Sequence, residues 1–567
     1  MISALGLVLA APGFVSGVCV FPCAGLASTL TPRDEPRPLF REIGATALPG
    51  VTTVCGSEAK DWILEVNGGG VLLGDFDGDG KCDVVIVDGS TIERAEKGEP
   101  GRPPRLFLGR GDCTFQPAPE KWNMKGGRWG MGGATGDLDG DGWLDLVVTE
   151  WGANRVFMND KGKGLREVTE HAGLTGDAWS TSAVIFDYDR DGKLDLAVVN
   201  YLVFDTKTIQ KRGAGQCRWK GHDVMCGPEG LTPQFDQLYR GKGDGSFEDT
   251  TLAAKFRPEA AGFGLGAIPL DYDDDGDTDL YIANDSTPNF LWENQGDGTF
   301  KEVGYKRGVS HDANGKEQAS MGLAIGDMNG DLRPDLFVTN FSGENNDLYL
   351  STKAGGYRER SSAAGLAGPS IPLLGWGTTM DDFDLDGDLD ISVVNGHVYP
   401  QADSPGTDTS YAQPAQLYRN DGTGKFSVEP LSDAPMFVGR ASAAADLDGD
   451  GDLDLVALSV EGPVRVFQNL ATHGADRHWL RVKLASKSAN RDALGARITI
   501  EWDGGHQASE IRTAGGFQSA VPAEAHFGLG KIDRLKTLEV RWPSGRKQVL
   551  SDVAVDRVLT IEENDKP

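Results

Sequence analysis

The stretch DLDGDGWLDLVVTE, residues 137–150, sets aspartates at positions one, three, five and nine and then runs into a β-branched apolar segment. Hard cations such as Ca²⁺ take about 6–8 oxygen ligands at roughly 2.3–2.6 Å, and a tight loop with carboxylates at alternate positions turns them toward one point. Gly142 at position six permits the positive φ needed where the chain bends back. Position seven offers its backbone carbonyl. An EF-hand opens with the same letters but requires a glutamate at position twelve on a helix. Position twelve here is Val148, inside a strand-like run, and the closing carboxylate stands at position nine.

The pattern occurs seven times, starting at Asp75, Asp137, Asp187, Asp271, Asp327, Asp382 and Asp446, with spacings of 62, 50, 84, 56, 55 and 64 residues. These spacings lie within or a little above the roughly 20–50-residue periods of propellers and other repeat architectures. The candidate metal ligands are Asp75, Asp77, Asp79 and Asp83; Asp137, Asp139, Asp141 and Asp145; Asp187, Asp189, Asp191 and Asp195; Asp271, Asp273, Asp275 and Asp279; Asp327, Asn329, Asp331 and Asp335; Asp382, Asp384, Asp386 and Asp390; and Asp446, Asp448, Asp450 and Asp454. One such loop alone would read equally well as a solvated Asp-Gly turn. Seven in register predict calcium, up to seven ions. The fifth loop carries Asn329 for the second aspartate and Leu332 for the glycine, and is expected to bind most weakly.

Each loop follows a run of small residues, such as GMGGATGD and GLGAIPLD, suited to strands crowded around an axis. After the strand carrying the ninth-position aspartate comes a third, as in RLFLG, RVFMND and RVFQN, and then a fourth opening at Phe115, Leu165, Phe247, Phe300, Tyr357 or Phe426. Four strands per unit is the make-up of a propeller blade. Only six fourth strands follow a loop, while LFREIGATAL, residues 39–48, reads as an outermost strand without the three before it. The expected fold is therefore all-β: a seven-bladed propeller over 39–470, closed by this N-terminal strand, which removes the exposed sheet edges. Residues 472–565 alternate differently, in HWLRVKL, ARITIEW, TLEVRW and RVLTIEE, and predict a small β-sandwich-like domain.

The formal charge of −30 is concentrated in the loops, where seven divalent ions would add about +14. Such a surface, with no clustered Lys and Arg, argues against nucleic acid. Residues 1–27 are nearly free of charge and rich in small and apolar residues, and read as an export signal. No other stretch is long and apolar enough for an integral membrane span. The protein is thus expected to be secreted, periplasmic or at the cell surface. Of seven cysteines, Cys217 and Cys226 bracket a short loop within the 84-residue spacing and are predicted to pair, which export permits. Cys82 with Cys113 is the preferred second pair, the alternative being that these and Cys55 stay buried thiols.

The aspartate-loop units resemble FG-GAP/VCBS-type repeats, the calcium-binding blades also found in integrin α-subunits. The stretch from Asn490 through Gly495-Ala496, His526–Gly530 and Arg541–Gly545 resembles the ASPIC/UnbV domain. Together they are similar to the cartilage acidic protein-like family, whose bacterial members share segments like Asn284-Asp285-Ser286 and Asn395–Pro400. The resemblance implies secreted or surface-displayed calcium-binding proteins with an adhesive or recognition role.

Five residues beyond each closing aspartate stand Asp88, Glu150, Asn200, Asn284, Asn340, Asn395 and Ser459. At about 3.3 Å per residue, they fall near the face opposite the loops. The first six, with His397, are candidates for a polar ligand-binding ring, aided by Trp151, Tyr201, Trp376 and Tyr399. The alternative is that they are Asx-type caps ending strands. The functional expectation is a non-catalytic recognition, adhesion or scaffold protein binding an extracellular protein or glycan. The competing expectation is an enzyme acting on glycans or another extracellular polymer, although no nucleophile elbow or zinc-type histidine pair is present.

Overall fold

The computed structural model describes residues 38–564, apart from 175, 216, 472 and 475. The expected export segment 1–27 and residue 565 lie outside the described residues. The described chain is all-β, and no helix in it is long and apolar enough to cross a membrane.

The second unit shows how the repeats fold. Gly130–Gly136, Asp145–Glu150, Arg155–Asn159 and Leu165–Glu167 pair antiparallel in chain order. The aspartate loop joins the first strand to the second. Both of these strands are buried along their whole length, so they carry small and apolar residues without alternation. The units led by Ser180–Phe186, Gly264–Leu270, Leu323–Gly326 and Gly375–Asp381 repeat this order. In the first unit, Val71–Gly74 leads Asp83–Ile86, Arg105–Gly109 and Phe115–Pro117. Leading strands of consecutive units pack side by side, and Gly439–Ala445 of the last unit packs against Val71–Gly74 of the first.

The last unit has three strands of its own, Gly439–Ala445, Asp454–Ser459 and Arg465–Asn469, and its outer edge is taken by Phe40–Glu42. Phe40 stands opposite Asn469 and Glu42 opposite Phe467, and the Phe40 ring meets Phe383 of the neighbouring unit edge-on at 5.3 Å. The stretch read as one strand over 39–48 is a three-residue strand followed by the helical turn Gly44–Ala47.

Beyond residue 477, His478–Ala485 lies between Glu524–Gly530 and Arg557–Glu562, while Arg497–Trp502 lies between Gly505–Glu510 and Arg534–Arg541, with Lys547–Ala554 at the edge. Leu480, Val482, Ile498, Leu538 and Trp542 share one buried cluster with Val147 and Ile185 of the second and third units, so this region is packed onto the repeats. From it a short hairpin, Ala514–Gly515 and Ser519–Ala520, enters the repeat region and pairs parallel to Val71–Gly74. At its tip Phe517 is fully buried, 4.8 Å from the Trp376 ring. Gly132 makes room for it: a Cβ there would stand 2.6 Å from the Gln518 carbonyl oxygen.

Candidate metal centres and the opposite face

The seven aspartate loops share one hydrogen-bond scheme. The position-one carboxylate accepts from the amide of position six in every copy, at 2.9 Å for Asp75 with Gly80 and 2.7 Å for Asp382 with Gly387. Position five accepts from the amide of position seven, as in Asp79 with Lys81 at 2.9 Å and Asp450 with Asp452 at 3.1 Å. The ninth-position Oδ1 accepts from the end of the third strand: Asp83 from Gly109, Asp145 from Asn159, Asp279 from Asn294 and Asp454 from Asn469. Each closing aspartate therefore ties its loop to a strand as well as facing the loop's centre.

At that centre, carboxylate oxygens of positions one, three and nine converge. In the sets Asp75, Asp77 and Asp83, Asp137, Asp139 and Asp145, and Asp187, Asp189 and Asp195 they lie within 4.8 Å of one another. Burial pushes the closing carboxylates up, against the lowering effect of their amide partners: Asp83 to about 7, Asp145 and Asp390 to about 8, and Asp195 and Asp279 well above the usual range. Neighbouring loop aspartates add to the rise. Asp187 Oδ1 and Asp390 Oδ2 are buried with no hydrogen-bond partner. All-oxygen donors, crowded negative charge and orphaned carboxylate oxygens fit a hard divalent cation.

The fifth loop keeps the same geometry without glycine. Leu332 takes φ 65°, and its amide still donates to Asp327 Oδ2 at 2.7 Å. Position four also turns left-handed, even where it is Arg190, Asp274 or Leu385, a feature the sequence pattern does not announce.

The C-terminal region rests on this loop face. Arg541 reaches Asp271 at 2.5 Å and Asp274 at 2.8 Å, and Arg481 reaches Asp446 at 2.6 Å. Gln507 donates to the Gly387 carbonyl, and the Asn490 backbone amide to that of Gly192. Phe527 and Trp542 are core residues here, 4% and 2% exposed.

The polar positions expected to ring the opposite face are all buried. Asp88 is held by the Val54 amide, Arg102 and Arg105, and Glu150 by Arg155 and the Arg128 amide. Asn200 donates to the Phe235 carbonyl, Asn284 to Pro288, Asn340 to Asn345 and Asn395 to Pro414. The open polar ring is thus replaced by strand-end links: the four asparagines bond to the loop that follows them, while Asp88 and Glu150 also hold amides from earlier in the chain. His397, fully buried, accepts the Tyr399 amide on Nδ1 and faces Ser342 Oγ with Nε2. Burial, with Arg440 and Lys220 nearby, pushes it down to about 3.

The long insertion between Asp195–Asn200 and Gln237–Gly241 covers part of this face. Cys217 and Cys226 are disulfide-bonded, with Cα atoms 5.3 Å apart. The bridged loop carries Trp219 to 4.6 Å from the His397 ring and 5.7 Å from Tyr399. Trp151, Tyr201 and Trp376 belong to the buried cluster beneath it. The expected Cys82–Cys113 pair does not form. Cys113 Sγ turns toward Asp454 and Asp448, at 3.2 and 3.4 Å, while Cys82 lies against the Asp83 carbonyl.

These features define a repeat protein whose unit is a four-stranded sheet with an aspartate loop between its first two strands. The chain belongs to the FG-GAP-like repeat family: that description matches residues 75–148, 137–198, 271–338, 327–393 and 382–457, more than half of the chain. Residues 486–567 match ASPIC and UnbV. The chain is similar to cartilage acidic protein 1 of Mus musculus, 29% identical over 352 residues covering 59% of this chain and 50% of that one. It is also 29% identical to cartilage acidic protein 1 of Xenopus tropicalis over 279 residues, 47% of this chain and 40% of that one. The chain thus spans half or less of the length of these relatives. Among solved structures, the BP39L lectin of Burkholderia pseudomallei aligns at 12% identity and a TM-score of 0.43 over 72% of this chain and 98% of its own.

Proposed function

We propose that this protein is a non-catalytic recognition, adhesion or scaffold protein working outside the cytoplasm, secreted, periplasmic or surface-displayed, with calcium fastening its repeats. Seven units form the blades of a propeller, and Phe40–Glu42 completes the last blade. The pairing of Phe40–Glu42 with Arg465–Asn469 and the packing of the first leading strand on the last support this arrangement. The disulfide supports an oxidising compartment.

The observation that carries the reading is the convergence of positions one, three and nine in loops that also hold unpartnered buried carboxylate oxygens. Calcium bound there would supply the positive charge that these aspartates lack. The chain's own part is to hold the carboxylates in register through the amides of positions six and seven and the third strand. Affinity is expected in the weak range of about 10⁻⁴–10⁻³ M typical of extracellular modules. The partner class we assign is an extracellular protein or glycan. Thermal melting with excess calcium and with chelator tests the reading: a sharp fall in melting temperature on chelation supports it, and superimposable curves contradict it.

A further inference from the structure

Where the C-terminal strands meet the loop face, a cleft of about 190 Å³ remains. Leu323, Thr378 and Met380 line it from the repeats, and Gln507, Arg512 and Phe527 from the C-terminal region. It therefore exists only because the two regions are docked, a common setting for small-molecule sites. At about 30 Å³ per water, its volume is that of roughly six waters.

Three buried polar atoms in this wall have no hydrogen-bond partner: Thr378 Oγ1, Gln507 Oε1 and Arg512 Nε. Thr378 is fully buried. Leaving such groups unmet is costly, so their grouping calls for a polar occupant. Setting aside Asp327 and Asp382, which belong to the aspartate loops and on the proposed reading are neutralised by calcium, the charges of the wall are balanced, Arg333, Arg497 and Arg512 against Asp381, Glu510 and Glu524. Arg497 stands 4.0 Å from Glu510. Arg512 closes no ion pair among the described residues, although Asp381 and Glu510 both face it at longer range. A guanidinium and a carboxylate that border one cleft without meeting suit a ligand carrying both charges, and a neutral wall disfavours one with a net charge. Met380, Leu389 and Phe527 add an apolar side.

The geometry points to a binding site for a free α-amino acid with an apolar side chain, its carboxylate on Arg512, its ammonium on Asp381 and its side chain along Met380 and Phe527. Binding would give the C-terminal region a role beyond covering the loops, since it supplies the carboxylate-binding half.

The test is isothermal titration of the calcium-saturated full chain with each proteinogenic amino acid, and, for those that bind, with the matched acid lacking the amine and the matched amine lacking the acid; for leucine these are 4-methylpentanoate and 3-methylbutylamine. One amino acid per chain should bind, with both single-charge analogues at least about tenfold weaker, and Arg512→Gln and Asp381→Asn should each weaken binding about tenfold or more. The analogue comparison uses the unmodified chain and decides the matter even where a variant misfolds. Absence of saturable binding below about 10 mM, or an acid analogue that binds as tightly as the amino acid, would overturn the site and leave the cleft to water.

Discussion

The amide of Leu332 donates to Oδ2 of Asp327 at 2.7 Å, and Leu332 holds φ at 65° to do so. The corresponding residues of the other loops are glycines with φ between 82° and 104°. The loop's hydrogen-bond scheme therefore dictates the backbone, and in the fifth copy a leucine bears the strain.

Leu332→Gly should accordingly stabilise the protein by up to about 1 kcal/mol, the left-handed penalty of roughly 1–2 kcal/mol less the added freedom of glycine in the unfolded chain. Denaturant titration of the calcium-loaded protein measures it. A loss of stability would mean that Leu332's packing outweighs its strain.

Phe517 anchors the C-terminal hairpin among the aromatic residues of the repeat region. Phe517→Ala should cost about 3–5 kcal/mol and expose the hairpin, so that limited proteolysis cuts near residues 512–521 faster than in the unmodified chain. Unchanged cutting would show that the hairpin is held by its backbone pairing alone.

His397 gives a pH signature. Its folded pKa of about 3 lies below the ordinary 6.5, so the unfolded chain binds the extra proton between these values. The stabilisation is present above pH 6.5 and is lost as pH falls toward 3, at about 1.4 kcal/mol per unit. The stability advantage of the unmodified chain over His397→Gln should therefore shrink between pH 6.5 and 4.5 in excess calcium. A gap independent of pH would show that the histidine does not stay neutral in its pocket.

Removal of residues 39–48 strips Arg465–Asn469 of its neighbour Phe40–Glu42 and leaves an edge able to pair with other chains. Size-exclusion chromatography should show oligomers, or melting a lower transition. A monomer with an unchanged melting curve would contradict closure by this strand.

Much of this was legible in the sequence because the repeat is written in residues that have little choice. Aspartate at positions one, five and nine serves the loop's own amides, and the small residues before Asp137 lie in a strand buried on both faces. Cys217 and Cys226 could be paired from their spacing within the long insertion. Other features carry no such signature. A strand-end asparagine looks the same whether it faces a ligand or, as Asn284 does, bonds to the carbonyl of Pro288. Nothing in the periodicity around Phe517 shows that its loop leaves its own sheet to enter another. The setting of Cys113 has no local signature either, because its nearest partners come from Asp448 and Asp454, more than 300 residues away along the chain.

The most direct measurement is calcium uptake by chelator-stripped protein at equilibrium, counted per chain by elemental analysis after dialysis against millimolar calcium. Up to seven ions should bind, with Asp187→Asn and Asp390→Asn each removing one and leaving the rest in place. A protein that takes up no calcium, while keeping its fold, would show that the aspartates serve only as hydrogen-bond acceptors for their own loops.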